Sequence, residues 1–363
     1  MINDLASDQR VQRTCSVLQE SGYEVLLVGR LLKNSSSVDH LPFKTKRMNL
    51  TFSSGPAFYL FFNLRLFFML LSTKSDLLFS NDLDTLWANN LVSKLKGIPL
   101  IYDSHEIFCE VPELQKTPSK KRIWENLEKR IVPNLKYCIT VNQSIADYFR
   151  KKYNVNFTVV RNIPSSIENF KTKSRTELNL DPNKKIIIYQ GAGINIDRGA
   201  EELVQAMQYV NNAQLLIIGS GDVFPRLKQM VSDLQLHEKI LVINKLPKTE
   251  LLHYTFNSDL GISIDKDTNL NYHFSLPNKI FDYVQAGVPI LASRLPEIES
   301  IIRKYDIGDF IECHSPQHIA EKINQILSSA QLSVWKNNCK KAANENSWEL
   351  EKAKLSDLIL SVK

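Results

Sequence analysis

The chain has 363 residues, enough for two domains with hydrophobic cores, and its 43% apolar and 23% charged content is typical of globular proteins. The net charge of +6 permits an anionic partner. No basic motif with interleaved aromatic residues accompanies that charge, so we expect no nucleic-acid partner. The five cysteines lie far apart without a Cys-x-x-Cys pair, which disfavours a disulfide or zinc scaffold and indicates reduced thiols in a cytoplasmic protein. Polar Asn3 and Asp4 follow Met1 directly, so we expect no signal peptide.

Strands and helices alternate in the first half of the chain, which predicts an open parallel sheet. A helix entry at Ser7 and Asp8 comes where a doubly wound domain normally has a central strand. We therefore expect that the first strand of this domain is missing from the sequence. In chain order we predict strand 24–29, helix 58–71, strand 77–80, helix 83–96, strand 98–102, a basic amphipathic segment 119–132, strand 137–141 and helix 144–153.

Two segments of this half raise the question of a membrane. The apolar stretch 58–71 is shorter than the roughly 20 residues of a span and contains Arg65, so we expect a helix buried between the sheet and its neighbours. A helix that dips into a membrane interface is the alternative. The basic segment could lie on an anionic membrane or a lipid phosphate, but Glu125 and Glu128 dilute its charge and favour a solvated helix face. The cations within it and just before it are Lys116, Lys120, Lys121, Arg122, Lys129 and Arg130.

The second half repeats the alternation after a polar segment, 161–185, that is typical of a linker between domains. We predict strands at 186–189, 214–218, 240–243, 260–264 and 289–292, a helix at 278–286, and a last helix that contains Trp348. The chain is thus expected to form two Rossmann-like domains, 1–163 and 164–340, followed by a terminal helix in 341–363.

The first turn of the second half combines glycines with an arginine. Gly191 and Gly193 end an apolar strand, and Arg198 precedes the next helix. Backbone N–H groups at such a turn point toward a ligand, and an arginine there can hold a phosphate through two hydrogen bonds. The pattern predicts a diphosphate site and hence a nucleotide-linked substrate, whereas a solvated arginine at a helix start is the alternative.

The second turn carries Gly219 and Gly221 directly after another apolar strand. This strand-to-helix turn has the same form as the first one, so its backbone could also approach a phosphate. A tight connection to the helix that follows is an equally good interpretation of these glycines.

A third element starts at Pro277, which preforms a helix entry where Asn278 can cap or begin the helix. The helix dipole disfavours the cation of Lys279 in the first turn unless an anion lies beside it. Asp282 lies three residues later on the same face. We expect Lys279 to pair with a phosphate and Asp282 to accept from ribose hydroxyls; a surface ion pair between the two is the alternative.

The first half offers His105 at the carboxyl end of a predicted strand, the edge at which parallel sheets bind ligands. It could contact a ligand or be structural. Asp82 and Asp84 could form a metal-binding pair, but capping of the following helix is the better interpretation, and we expect no metal.

Together these motifs make the chain resemble the family-4 glycosyltransferases of the GT-B fold, the bacterial cell-surface polysaccharide type. The resemblance covers nearly the whole chain, and its most specific part is the Pro-Asn-Lys…Tyr…Ala-Gly-x-Pro element at 277–289. The other matching segments are 3–11, 81–85, 102–106, 190–199, 218–221 and 347–349.

The resemblance implies two Rossmann-like domains that face a cleft, with a terminal helix that crosses back to the first domain. It implies a nucleotide-sugar donor on the second domain, a lipid-linked or saccharide acceptor on the first, retention of anomeric configuration, and no metal or other cofactor. In such an enzyme Arg198 and Lys279 would neutralise the departing diphosphate and His105 would contact the donor sugar. The donor would be held by Gly191, Gly193, Gly219, Gly221, Asn278 and Asp282.

The chain departs from the family pattern at three positions. Phe274 stands where the first glutamate of a paired motif belongs, and Ala192 stands where an arginine often follows the first glycine. Asp282 replaces the second glutamate. A nucleotide-sugar 2-epimerase and a non-catalytic nucleotide-binding scaffold are therefore alternatives to a transferase of surface polysaccharide or lipopolysaccharide synthesis, placed in the cytoplasm with peripheral contact to the inner membrane face.

Overall fold

A computed structural model describes residues 1–6, 8–32, 35–52, 54–167 and 170–362, so the predicted helix entry at Ser7 lies outside the described residues. The chain divides into two compact units. Unit 1 contains Met1–Asn162 and Leu350–Lys363, and unit 2 contains Ile163–Glu349. The boundaries of the units thus follow residues 162 and 349, whereas the sequence predicts boundaries after residues 163 and 340.

Unit 1 alternates helices and strands as its sequence pattern predicts. Its elements are α1 Gln9–Glu20, β1 Leu26–Arg30, β2 Lys44–Met48, α2 Gly55–Ser72, β3 Leu78–Asn81, α3 Leu83–Lys96, β4 Leu100–Ser104, α4 Pro112–Gln115, α5 Pro118–Ile131, β5 Tyr137–Thr140, α6 Gln143–Tyr153 and β6 Thr158–Val159. The charged strand β2 was not predicted, because its Lys and Arg side chains hide the apolar alternation that marks a strand.

The strands of unit 1 form two parallel sheets, β1-β2 and β3-β4-β5-β6. Residues Met1 to Asp4 run beside β1: the amino group of Met1 donates to the carbonyl of Val28, and Asp4 forms a single parallel bridge with Arg30. Among the described residues no strand joins the two sheets. The absence of a first strand from the sequence stays a prediction, and the intact mass of the native protein tests it.

Helix α2 differs from its prediction in burial. It is a helix as expected, but only Phe58, Phe62, Asn63 and Leu66 are buried. The opposite face leaves large apolar side chains exposed, so the expectation of a helix enclosed on all sides is wrong. Among the described residues α2 is also the one helix whose length and apolar composition would suffice for a membrane span.

Unit 2 is an α/β domain around one six-stranded parallel sheet in the order β12-β11-β10-β7-β8-β9. Each face of the sheet is covered by helices, with Ile187 and Leu215 in one apolar cluster and Ile186 and Leu216 in the other. Its elements are β7 Lys185–Gly191, α7 Ala200–Ala206, β8 Ala213–Gly219, α8 Phe224–Asp233, β9 Ile240–Asn244, α9 Lys248–Phe256, β10 Leu260–Ser263, α10 Leu270–His273, α11 Asn278–Ala286, β11 Ile290–Ser293, α12 Pro296–Tyr305, β12 Gly308–Ile311, α13 Pro316–Ser328 and α14 Gln331–Glu345. Helix α15, Trp348–Ser361, begins at the end of unit 2 and lies mostly in unit 1.

Helix α11 begins and ends where its sequence predicts. Pro277 is the N-cap residue and Asn278 is the first helical residue. Gly287 ends the helix in the left-handed region, at φ 70°, which glycine adopts without a steric penalty. The terminal helix α15 returns the chain to unit 1, where the buried carboxylate of Glu351 accepts from the backbone and side chain of Arg161.

Candidate functional site

The candidate site of unit 2 lies at the carboxyl edge of its sheet, where strand order reverses. β8 lies on one side of β7, and β10, which comes later in the chain, lies on the other. A crevice opens at such a switch point in parallel sheets and commonly holds the ligand. The residues that follow β7 and β10 are therefore placed around a potential binding position.

Arg198 follows β7 and pairs with Asp265, which follows β10. The Nη1 atom of Arg198 lies 2.6 Å from Oδ2 of Asp265, and the carboxylate is fully buried while the arginine side chain is 24% exposed. The guanidinium also lies 4.0 Å from the centre of the Tyr272 ring. Burial opposes the charge of Arg198, but the charge and hydrogen bond of Asp265, together with Tyr272 and Tyr189, outweigh it, so the pKa of Arg198 is raised. The arginine is thus a permanent cation held in one place.

The backbone segments on both sides of this ion pair pack closely against each other. Gly199 has φ 77°, and a Cβ there would lie 2.4 Å from the carbonyl oxygen of Ile264, so only glycine fits directly after Arg198. The amide of Lys266 donates to the carbonyl of Asp197. The turn after β7 is therefore joined to the segment after β10 on both sides of the Arg198–Asp265 pair.

Lys279 belongs to the same cluster through an aromatic side chain. Its ammonium nitrogen lies 4.2 Å from the centre of the Tyr189 ring, and the hydroxyl of Tyr189 donates to the carbonyl of Arg198. Burial lowers the pKa of Lys279 to about 8, although the charge of Asp265 acts in the opposite direction. In the described part of the chain no carboxylate pairs with Lys279, so the expected alternative of an ion pair with Asp282 is not formed.

The two cations outnumber the one carboxylate between them. Arg198, Lys279 and Asp265 carry a net charge of one positive unit in a largely buried position. Such an arrangement costs desolvation energy unless an anion completes it. The structure therefore brings the two sequence-predicted cations together, as a diphosphate site requires.

The glycines of the two turns have different roles. A Cβ on Gly219 would lie 1.8 Å from the carbonyl oxygen of Gly191, and one on Gly221 would lie 2.2 Å from that of Ile194. The amide of Ile194 also donates to the carbonyl of Ser220. Gly219 and Gly221 are thus required because the second turn packs against the first, a reason that the sequence analysis did not foresee.

Gly193 of the first turn faces open space instead. A Cβ there would have its nearest neighbour at 3.9 Å, and Gly191 has its nearest at 3.7 Å. No packing within the described chain requires either position to be glycine. The expected approach of a ligand to Gly191 and Gly193 stays a prediction.

Asp282 is engaged by the protein itself. One carboxylate oxygen accepts from the side-chain amide, Nε2, of Gln190 at 3.0 Å, and the other accepts from the ammonium of Lys248. The amide oxygen of Gln190 in turn accepts from the hydroxyl of Thr255. Asp282 is buried, and a ribose would have to share or displace these partners.

Several residues of the site escaped the sequence analysis. Asp265, Tyr272 and Lys248 lie on different segments, and none belongs to a local motif. Asp265 directly follows the apolar run of β10, so its position at the end of a strand was the one signal that could have identified it. Lys248 starts α9 without any pattern that links it to Asp282.

In unit 1, His105 lies between two carboxylates. Its Nδ1 and Nε2 atoms are each 3.2 Å from an oxygen, of Asp82 and Asp103 respectively. Burial opposes protonation, but both carboxylates favour it, and the pKa of His105 is raised well above its ordinary value. Arg10 donates two hydrogen bonds to Asp103, at 2.7 and 3.0 Å. His105 is therefore a fixed imidazolium whose two ring N–H groups face carboxylates, and it is unsuited to act as a base.

Asp82 and Asp84 do not act as the expected helix caps. Asp82 precedes α3 without a capping hydrogen bond from its side chain, and its backbone is strained, at φ 60° and ψ 168°. Its carboxylate accepts instead from the backbone of His105 at 2.9 Å. Asp84 is buried, and burial followed by the charge of Asp82 raises its pKa to about 8. Within the described ranges no group of three or more His, Cys, Asp or Glu side chains is arranged so that it could hold a metal ion.

Comparison with known proteins identifies the two halves separately. Residues 170–345 match the family model "Glycosyl transferases group 1", and residues 8–168 match "Glycosyltransferase Family 4". The chain is 25% identical over 165 residues to an N-acetyl-alpha-D-glucosaminyl L-malate synthase of Bacillus anthracis, a match that covers 44% of this chain and 41% of that protein. It therefore spans less than half the length of this curated relative.

Solved structures share the fold over almost the full length. WaaG, a glycosyltransferase involved in lipopolysaccharide biosynthesis, has a TM-score of 0.74 at 15% identity and covers 99% of this chain and 97% of its own. HepE of Anabaena in complex with UDP-glucose has a TM-score of 0.75 at 14% identity, with 99% and 98% covered. The shared folds show that the chain has the GT-B fold. The two family models, which together account for nearly the whole sequence, show that the chain belongs to the family-4-like glycosyltransferases.

Proposed function

We propose that the protein transfers a sugar from a nucleotide-sugar donor to a lipid-linked or saccharide acceptor in surface polysaccharide synthesis. One observation carries the proposal: Arg198 and Lys279 come together around the single carboxylate of Asp265 at the switch point of the unit 2 sheet. A diphosphate supplies the negative charge that this cluster lacks. UDP is the first nucleotide to test, because it is bound in the solved HepE structures.

The cations also supply the chemistry that the departure of a nucleoside diphosphate needs. Negative charge grows on the leaving phosphate in the transition state, and fixed cations stabilise it without reorganisation. We propose that Arg198 and Lys279 fill this role without a metal ion. Transfer with retention then requires no protein nucleophile, because the leaving phosphate takes the proton of the acceptor hydroxyl.

The glycines, Asn278 and Asp282 have supporting roles in this proposal. Gly191 and Gly193 leave room for the donor, and Gly219 and Gly221 hold the turn in shape. Asn278 is exposed in the first turn of α11 beside Lys279. Asp282 accepts from the ribose in exchange for one of its present partners. His105, as a fixed imidazolium, donates a hydrogen bond to the donor sugar in exchange for one of its two carboxylate contacts.

We place the reaction in the cytoplasm, with peripheral contact to the inner membrane face, where lipid-linked acceptors are available. The exposed apolar face of α2 supports contact with a lipid surface.

The test is a panel of nucleotide sugars examined in two steps. A ligand that binds the folded protein raises its melting temperature, which selects the donor. The selected donor, carrying a radiolabelled sugar, is then incubated with the full chain and a bacterial lipid extract, with and without EDTA. Label in the lipid fraction, unchanged by EDTA, is the expected result.

The other outcomes identify the alternatives. Free epimerised sugar in the absence of an acceptor would establish a 2-epimerase. Tight binding of a nucleotide with no turnover of any donor would establish a scaffold. A panel without any thermal shift would contradict nucleotide binding itself.

A further inference from the structure

Asp82 has a backbone conformation that residues other than glycine rarely adopt. It follows β3 with φ 60° and ψ 168°. Asn154 and Asp306 also have a positive φ, but they end helices in the ordinary left-handed region, at ψ 35° and 66°. A strained residue of the kind seen at Asp82 persists only where its surroundings enforce it, and such residues cluster at active sites and ligand clamps. The conformation of Asp82 is therefore evidence of a constraint other than stability.

Three contacts hold Asp82 in this conformation. Its backbone N–H donates to the carbonyl of Asp103 at 2.8 Å. Its Oδ1 atom accepts from the backbone N–H of His105 at 2.9 Å, and its Oδ2 atom lies 3.2 Å from Nδ1 of the His105 ring. These contacts join the carboxyl ends of β3 and β4, the edge at which parallel sheets bind ligands. The strained backbone thus places a carboxylate against the ring of His105 at this edge.

The two carboxylates beside His105 differ in how firmly they are held. Asp103 accepts two hydrogen bonds from Arg10 and is 1% exposed, and the Nε2 atom of His105 that faces it is buried. Asp82 has no second cationic partner within the described residues, and its side chain is 19% exposed, close to the 18% of His105. A ligand can therefore reach His105 on the Nδ1 side of the ring, where it meets Asp82.

The charges around His105 keep its Nδ1 atom a hydrogen-bond donor. Asp82 and Asp103 outweigh the effect of burial and raise the pKa of His105 well above its ordinary value, and Arg10 offsets part of the charge of Asp103. The charge of His105 also acts on Asp84, but burial and Asp82 raise the pKa of that carboxyl to about 8, so it is largely uncharged at neutral pH. The exposed side of the cluster is thus an imidazolium N–H that faces one carboxylate.

We propose that Asp82 and His105 form a clamp for one hydroxyl group of the transferred sugar. The hydroxyl oxygen accepts from Nδ1–H of His105, and the hydroxyl proton is donated to Oδ2 of Asp82, while Oδ1 keeps its bond to the backbone of His105. A hydroxyl fits between the two because it is both a donor and an acceptor, and both of its hydrogen bonds are then charge-assisted. The clamp rests on the proposed function and makes Asp82 a residue that determines which sugar is transferred.

The first test needs no ligand. Asp82→Gly and Asp82→Ala both remove the carboxylate, but only glycine adopts the backbone conformation without strain. We therefore expect Asp82→Gly to melt at a higher temperature than Asp82→Ala. The matched control is Asp147, an exposed residue inside α6, where the glycine variant should melt below the alanine variant. If Asp82→Gly is no more stable than Asp82→Ala, residue 82 is not strained and the proposal is overturned.

The second test compares nucleotide sugars with their own nucleoside diphosphates. Calorimetric titrations with UDP, UDP-glucose, UDP-N-acetylglucosamine, GDP and GDP-mannose give the gain in affinity that each sugar adds. Asp82→Gly should reduce this gain by about tenfold or more, the effect of a lost hydrogen bond to a charged group, and should bind UDP and GDP like the wild type. Asp82→Asn, which keeps the size of the side chain but not its charge, should also lose affinity. The control is Asp76→Asn, at an exposed aspartate of unit 1.

A double variant tests whether the two side chains act on one group. His105→Gln should reduce the gain from the sugar as Asp82→Asn does. The variant Asp82→Asn/His105→Gln should lose no more than either single variant, because one hydroxyl joins both side chains. Losses that simply add would show two independent contacts and would overturn the clamp.

Two further results would overturn the clamp. One is an Asp82→Gly variant that retains the wild-type gain from the sugar. The other is an equal fall in affinity for the nucleoside diphosphates and the nucleotide sugars, which would identify Asp82 as a support of the fold alone. Wild-type protein that binds none of the five ligands would instead contradict the proposed function, and the melting temperatures would still test the strain at Asp82.

Discussion

The ammonium nitrogen of Lys279 lies 4.2 Å from the centre of the Tyr189 ring, on a helix far from β7 in sequence. The ring gives the cation a partner but no neutralising charge, and cation–π contacts are weaker than a buried ion pair. Since the Tyr189 hydroxyl donates to the carbonyl of Arg198, one aromatic side chain holds both cations of the candidate site in place.

Alanine at either cation should weaken nucleotide binding. Arg198→Ala or Lys279→Ala should each cost about 1.5–3 kcal/mol of UDP or GDP binding, the value of a charge-assisted hydrogen bond. Calorimetric titration measures the change. Lys341→Ala, at an exposed position of α14, is the control. If both site variants bind the nucleotides like the wild type, the assignment of the site is wrong.

Nucleotide affinity should fall as the pH rises above about 8. The pKa of Lys279 in the free protein is lowered to about 8 by burial, and a bound diphosphate raises it because it favours the charged form. Binding above pH 8 therefore takes up a proton, and the affinity should fall by up to about tenfold per pH unit. Titrations with UDP between pH 6.5 and 9.5 measure the slope. Lys279→Arg should give a flat profile, and a wild-type profile equally flat would contradict the role of Lys279.

Two glycines of the adjoining turns should respond differently to alanine. Gly221→Ala places a Cβ against the backbone of Ile194 and should lower stability by about 2 kcal/mol or more. Gly193→Ala has room and should leave stability within about 1 kcal/mol of the wild type. We expect Gly193→Ala to lose UDP affinity nevertheless, because the methyl group would keep a phosphate from the backbone. Chemical denaturation and calorimetry separate the two effects; normal UDP binding by folded Gly193→Ala would count against ligand approach at this turn.

The buried pair of Arg10 and Asp103 should be costly to break. Arg10→Met leaves Asp103 with His105 as its remaining charged partner and should destabilise the protein by about 3–5 kcal/mol. Urea denaturation followed by circular dichroism measures the loss. Arg122→Met removes an exposed arginine and should stay within about 0.5 kcal/mol. Equal stabilities of the two variants would show that the pair does not support unit 1.

The local pattern was sufficient for most elements of the fold. The strand at β7, the helix at α3 and the bounds of α11 follow from apolar periodicity and from the residues that begin and end helices. These signals involve residues that are close together in the sequence, so they can be recognised without knowledge of the fold. The edge strand β2 was missed because it carries charged side chains, which keep exposed sheet edges from pairing with other chains. These side chains also remove the alternation of apolar residues by which a strand is recognised.

By itself the sequence determined the two α/β halves, the two cations Arg198 and Lys279, and the family that their motifs indicate. Only the tertiary structure decided which partners these residues meet. Asp265 pairs with Arg198 across the switch point, and Lys248 pairs with Asp282. The outer face of α2 is exposed to solvent. The physical reason is that such contacts join segments distant in the chain, and their geometry depends on how strands order in the sheet and how helices pack on it.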